Sequence, residues 1–146
     1  MPISWEELQV GTETGRFELT VTGEMIDEYL ASMDNDHPWF AGTEGPFGGR
    51  TAPPDLVPKL AMTALFQEYI QRDIGPNIRA KQAFKFFAPV RPGMKVQAVG
   101  RLVEKYERRG KRFITLEALF TDEKGTPLVL DRRTQLVLSP DFQLQK

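Results

Sequence analysis

The sequence predicts an α+β fold in which one curved antiparallel sheet wraps a single long, buried helix. Three observations lead there. Between positions 55 and 70 the chain sets Leu56, Val57, Leu60, Ala61, Met62, Ala64, Leu65, Phe66, Tyr69 and Ile70 against only Lys59, Thr63, Gln67 and Glu68, so apolar surface runs most of the way round. At 1.5 Å per residue that rod is roughly 24 Å long, and in a small domain only a broad layer such as a sheet can cover it. Second, the stretches 95–108, 112–122 and 127–138 read as three long antiparallel strands, split by Arg109-Gly110-Lys111 and Glu123-Lys124-Gly125, with glycine where a hairpin loop needs positive φ. Third, the middle stretch alternates, Ile114, Leu116, Ala118 and Phe120 against Phe113, Thr115, Glu117 and Leu119, which gives the sheet one apolar side.

The remaining elements fall into place in order. Ser4 with Glu7 three residues on has the spacing of a capping box. Residues 15–21 alternate as a first strand with one wet face, and Thr22 is placed to cap a helix over 23–33 that carries Ile26, Tyr29, Leu30 and Met33 on one stripe. A polar turn, Asp34-Asn35-Asp36-His37-Pro38, leads through Trp39 and Phe40 to a glycine-rich loop (Gly42, Gly45, Gly48, Gly49) and to Thr51-Ala52-Pro53-Pro54. Asp55 is expected to cap the long helix, with Pro58 at its third position, where the missing N–H has no intrahelical partner. Ile74-Gly75-Pro76-Asn77 breaks the chain; 81–88, with Phe84, Phe86 and Phe87, reads as a strand that stops at Pro89-Val90-Arg91-Pro92-Gly93. Asp131-Arg132-Arg133 puts charge inside the last strand and suits an edge facing water or a partner.

Composition narrows the function. The 146 residues read as one domain, 1–146, with 40% hydrophobic and 27% charged residues. Nineteen basic against twenty acidic residues give no field favouring nucleic acid or a membrane surface. Without cysteine there is no disulfide, thiolate metal site or cysteine nucleophile, and a single histidine, His37, excludes a multi-histidine metal site. The first residues lack the pattern of a secretory signal and no apolar run is long enough to span a bilayer, so a cytoplasmic protein is expected.

The order of elements, together with Asp36-His37-Pro38, the stretch from Gly49 to Pro54, Phe84-Lys85-Phe86-Phe87 leading to Arg91-Pro92-Gly93, and the Asp122-Glu123-Lys124-Gly125 turn, resembles the hot-dog fold. Within it the chain is similar to MaoC-like dehydratases, above all to the FAS1-like N-terminal dehydratase domains and accessory subunits of (3R)-hydroxyacyl dehydratases. The resemblance implies an acyl substrate carried as a thioester on coenzyme A or acyl carrier protein. It also implies reversible addition of water to the enoyl group, no cofactor and no metal, and pairing with another hot-dog subunit, identical or not. Two departures stand out against the active pattern. With Pro38 aligned to the proline of the motif D-x-N-P-x-H, Asn35 stands where the aspartate belongs and Phe40 where the histidine belongs, and neither exchanges a proton at neutral pH. At the helix start, active members use a glycine N–H as oxyanion donor; here stands Pro53-Pro54, and proline has no N–H.

Candidate residues follow. Asp36 and His37 are the candidate acid/base pair if the chain is self-sufficient, Asp34 being an alternative partner; the competing reading makes Asp34, Asn35 and Asp36 loop and helix-end residues. Asn35, Phe40, Gly49, Arg50, Thr51, Ala52 and Pro53 are expected at the thioester site. Arg50 is placed to meet a phosphate or pantetheine oxygen, unless it serves as a loop ion pair. The basic hairpin tip from Lys105 to Arg112 is a candidate for an acidic carrier or the coenzyme's phosphates. Three functions remain open: the substrate-binding half of a hydratase or dehydratase, a homodimeric hydratase working through Asp36 and His37, and a non-catalytic acyl-thioester binder. A hot-dog thioesterase needs a carboxylate near the helix start, and Asp55 is the nearest.

Overall fold

The computed structural model describes residues 2–139. After a 3-10 turn (Trp5–Glu7), begun by Ser4 accepting from the Glu7 N–H at 3.3 Å, strand β1 (Glu13–Thr20) leads to helix α1 (Gly23–Ser32). Thr22 caps α1 by accepting from the Met25 N–H at 3.2 Å. The helix stops short of the expected stripe. Asp34 takes a left-handed backbone (φ 50°), its N–H returns to the Ala31 carbonyl at 3.2 Å, and the Asn35 N–H reaches Leu30 at 2.9 Å. That is the helix-ending pair of bonds usually built around glycine, and it leaves Met33 exposed.

A single turn of helix, α2 (Pro38–Ala41), and the glycine loop precede the rod. Its first part is α3 (Leu56–Met62), and it runs on through two π-helical stretches, Thr63–Gln67 and Ile70–Ile74, to Gly75 at φ 82°. The rod is thus four residues longer than its apolar pattern suggests. The wide turns have a visible partner: the Thr14 hydroxyl donates to the Leu65 carbonyl at 2.7 Å. Gly15 and Gly100 let the backbones approach that closely, since a Cβ on Gly15 would lie 2.0 Å from the Ala64 carbonyl oxygen and one on Gly100 2.4 Å from the Thr14 hydroxyl.

The sheet adds β2 (Asn77–Phe86), β3 (Lys95–Arg108), β4 (Lys111–Thr121) and β5 (Pro127–Val137) in the order β1-β3-β4-β5-β2, every neighbour antiparallel. Gly110 and Gly125 take the positive φ assigned to them, and β2 begins at Asn77 rather than 81, its first side chain accepting from the Gln135 amide at 2.7 Å. Phe66 and Tyr69 of the rod are fully buried against Val96 and Leu102 of β3 and Ile114, Leu116 and Phe120 of β4. Each such side chain contributes about 1.5–3 kcal/mol by leaving water.

One expectation is overturned here. β5 lies between β4 and β2, so Asp131-Arg132-Arg133 is no edge. Asp131 and Arg133 turn toward the rod and are 0% and 4% exposed; only Arg132 looks outward, where it pairs with Glu104 and Glu117. The inward pair is joined at 2.7 Å, Gln82 of β2 adds a bond to Asp131 at 3.3 Å, and the Arg133 guanidinium lies over the Phe66 ring at 4.5 Å.

Candidate functional site

At the front end of the rod the sequence leaves almost no polar group for a ligand. Thr51 is buried with both its N–H and its hydroxyl directed at the Trp39 carbonyl, each at 3.4 Å. The Ala52 N–H donates to the Val90 carbonyl at 2.7 Å, Pro53 and Pro54 have none, and the Leu56 N–H turns back to Pro53 at 3.0 Å. From 51 to 54, therefore, no backbone donor points outward to stabilise a thioester oxyanion.

Beside this end lies a cavity of about 370 Å³. Its walls are aromatic: Trp39, Phe40 and Phe47 from α2 and the glycine loop, Phe86 at the end of β2 and Phe87 just after it; the buried Val129, Val90 and Ala52 close it toward the core. Not one of its lining residues titrates. Phe47, Phe86 and Phe87 are about half exposed, so the cavity opens along the β2 side of the sheet. Of the expected site residues Phe40, Thr51 and Ala52 line it, while Pro53 is buried between Ala52 and Pro54 of that lining.

The others hold the loop in shape. Arg50 donates from Nε to the Phe40 carbonyl at 2.6 Å and pairs with Asp27 at 2.5 Å, stapling the glycine loop to α1 and α2. Gly49 leaves room for Arg91, whose guanidinium donates to the Phe47 carbonyl; a Cβ there would meet Arg91 at 3.1 Å. Asn35 accepts from the His37 N–H at 2.9 Å, and His37 Nδ1 accepts from the Trp39 N–H at 3.3 Å, making the histidine the cap of α2. Its ring packs edge-on to Trp39 at 5.3 Å and beside Phe40 at 5.6 Å, against the cavity wall. Asp36 is exposed, and among the described residues neither it nor Asp34 bonds the imidazole.

Asp55 occupies the cap position of α3 but makes no capping bond with its side chain. Its carboxylate instead accepts from the Tyr29 hydroxyl at 2.7 Å. Burial pushes the Tyr29 phenol up to about 12, helped by that bond, so it stays a neutral donor. Asp55 borders a separate depression between rod and β2, where Lys59, Arg79, Gln82 and Arg133 meet the apolar Pro58, Met62 and Phe84. The basic hairpin tip is also partly committed: Lys105 donates to the Trp5 and Leu8 carbonyls at 2.7 and 2.8 Å, and Arg112 pairs with Glu107 while lying over the Trp5 ring. Among the described residues no three of His, Asp and Glu gather in an arrangement fit for a metal, and no helix is long and apolar enough to cross a membrane.

The sequence matches the family described as FAS1-like, dehydratase domain region over residues 8–131. The chain belongs to the FAS1-like dehydratase family. A search of curated proteins finds no match. Among solved structures it is similar to a monoamine oxidase regulatory protein from Archaeoglobus (21% identity, 93% of this chain and 94% of that one, TM-score 0.79). It is also similar to the HadBC (3R)-hydroxyacyl-ACP dehydratase complex of Mycobacterium tuberculosis (21%, 89% and 98%, 0.72) and to an (R)-hydratase from Pseudomonas aeruginosa (16%, 99% and 94%, 0.69). At such identities the likeness shows the fold, and the fold of this FAS1-like dehydratase chain is a hot-dog: a curved antiparallel sheet around a buried helix. Phe47, Phe86, Phe87 and Val129 escaped the sequence reading as site residues. The closely spaced Phe84-Lys85-Phe86-Phe87 was the available signal, and an aromatic strand end is indistinguishable from core until its neighbours are placed.

Proposed function

We propose that this chain is the acyl-binding half of a thioester hydratase or dehydratase, and that a second hot-dog chain supplies the acid and base. The observation that carries the reading is an apolar cavity at the rod's front end with no titratable lining residue and no outward backbone donor from 51 to 54. Adding water to an enoyl thioester requires a proton donor and acceptor and a stabilised enolate oxygen, whereas holding an acyl arm requires only a shaped apolar wall. Asn35 and Phe40 at the two motif positions, one tied into the loop and one in the cavity wall, agree with that division of labour.

The test is an assay of the purified chain on crotonyl and longer enoyl thioesters, with binding followed through Trp39 fluorescence. No hydration is expected, but saturable quenching is, and Phe86→Asp should weaken binding by about tenfold or more, equivalent to about 1.4 kcal/mol. Robust turnover by the chain alone overturns the reading. If that turnover then disappeared in His37→Ala, the self-sufficient homodimer working through Asp36 and His37 would take its place.

A further inference from the structure

The depression between the rod and β2 holds a cation that the fold leaves incompletely partnered. Arg133 borders it and is 4% exposed. Its guanidinium bonds Asp131 through one terminal nitrogen at 2.7 Å and covers the Phe66 ring, but its Nε meets no hydrogen-bond partner among the described residues. A buried donor on a charged group is costly to leave unpaired, and folded proteins keep few of them.

Two more cations stand around it. Lys59 of α3 and Arg79 of β2 enter no ion pair among the described residues; Lys59 lies over the Tyr29 ring at 5.3 Å, and Arg79 reaches the neutral Gln82 at 3.1 Å. The one carboxylate on the lining, Asp55, already accepts from the Tyr29 hydroxyl. With Asp131 counted behind Arg133, three cations face two carboxylates, an excess of positive charge in a space of about 250 Å³.

This depression adjoins the aromatic cavity. Phe84 and Phe86 stack at 5.8 Å on the rod side of β2, Phe86 lining the cavity and Phe84 the depression, and on the rod Pro54 lines the first and Asp55 the second. From Phe86 to Gln82 is four residues of strand, about 13 Å. Pro58, Met62 and Phe84 give a methylene chain apolar walls on its way to the cations.

We propose that an acyl arm filling the aromatic cavity continues into this depression and ends there in a carboxylate, so that the chain selects thioesters of dicarboxylic acids over those of simple fatty acids. The inference rests on the reading of the cavity as an acyl site; it adds the class of acyl group. A planar carboxylate matches the fork of a guanidinium, whereas the coenzyme's phosphates would leave the apolar walls unused.

Calorimetric titration of the full chain at neutral pH tests this with N-acetylcysteamine thioesters, which carry no phosphate, in pairs of equal length: octanoyl against suberoyl and dodecanoyl against dodecanedioyl. In at least one pair the carboxylated member should bind about tenfold or more tightly, with the advantage shrinking as salt is added. Lys59→Ala/Arg79→Ala, which changes two exposed side chains, should remove most of that advantage. Arg133→Lys, which keeps a cation beside Asp131 but loses the fork, should reduce it as well; should that variant fail to fold, the exposed pair decides. Parity in both pairs, or an advantage that survives Lys59→Ala/Arg79→Ala, overturns the proposal. Parity joined by weaker binding of octanoyl-coenzyme A in that variant would mean that the depression receives a phosphate, and the proposal fails in that case too. Binding of the fatty thioesters without preference refutes the carboxylate alone, whereas no binding of any of the four refutes the cavity reading with it.

Discussion

β1 and β2 are the two edges of one sheet, and they are finished in opposite ways. Both have an irregular register, β1 between Glu13 and Gly15 and β2 between Arg79 and Lys81, but β1 buries Thr14 against the rod and neutralises its charges at home through Arg16–Glu13 and Lys95–Glu18, each at 2.7 Å. β2 has exposed phenyl rings and unpaired cations over ten residues. A covering helix closes a sheet edge to strangers, whereas an uncovered edge is guarded by exposed cations such as Lys81 and Lys85 and by a bulge. By that comparison β1 is closed by packing on the rod, and β2 stands open to water.

Beside β2, on β5, lies the largest single stake. Asp131→Ala would leave the Arg133 cation buried beside Phe66 without its counter-ion, and should cost about 3–5 kcal/mol in urea unfolding. Pairing it with Arg133→Met should restore much of the loss; a single variant as stable as the natural chain would show the pair to be dispensable. Next comes a direct contrast of the edges. Gly15→Val drives a side chain into the Ala64 carbonyl and should lose about 3 kcal/mol, whereas Ala83→Val on exposed β2 should stay within about 0.5 kcal/mol. Equal effects at the two positions would erase the distinction between a closed and an open edge.

The smallest effect is electrostatic. The Arg16 side chain, bonding Glu13, holds that carboxyl below the usual 4.5. A depressed folded value means stability present above the unfolded value and lost as pH falls through the folded one. On this solvent-facing pair the change in stability should be slight, but the Glu13 NMR titration midpoint should lie below 4.5 and rise in Arg16→Ala. A midpoint unmoved by that substitution would mean β1 does not neutralise itself through this pair.

Legibility followed the range of the interactions. The Thr22 cap, the glycine turns at 110 and 125 and the inward row of β4 are decided by residues a few positions apart, and the structure has them where the sequence puts them. The charged run in β5 was misread because alternation tells which side chains share a face and not which strand lies alongside. Asp55 was misread as a side-chain cap because Tyr29, its hydrogen-bond partner, is 26 residues away. In the candidate site, Phe40, Thr51 and Ala52 line the cavity, while Gly49, Arg50 and Asn35 turned out to brace the loop.

The sequence by itself determined that an apolar rod would be wrapped by an antiparallel sheet, and that its front end would have no N–H at Pro53 and Pro54. Both follow from composition and covalent chemistry at fixed positions. Only the tertiary structure decided that β5 is interior, that the rod widens where Leu65 finds Thr14, and that five aromatic residues from two distant stretches of the chain close around one cavity. Those outcomes depend on long-range strand order and backbone approach, which local spacing does not encode.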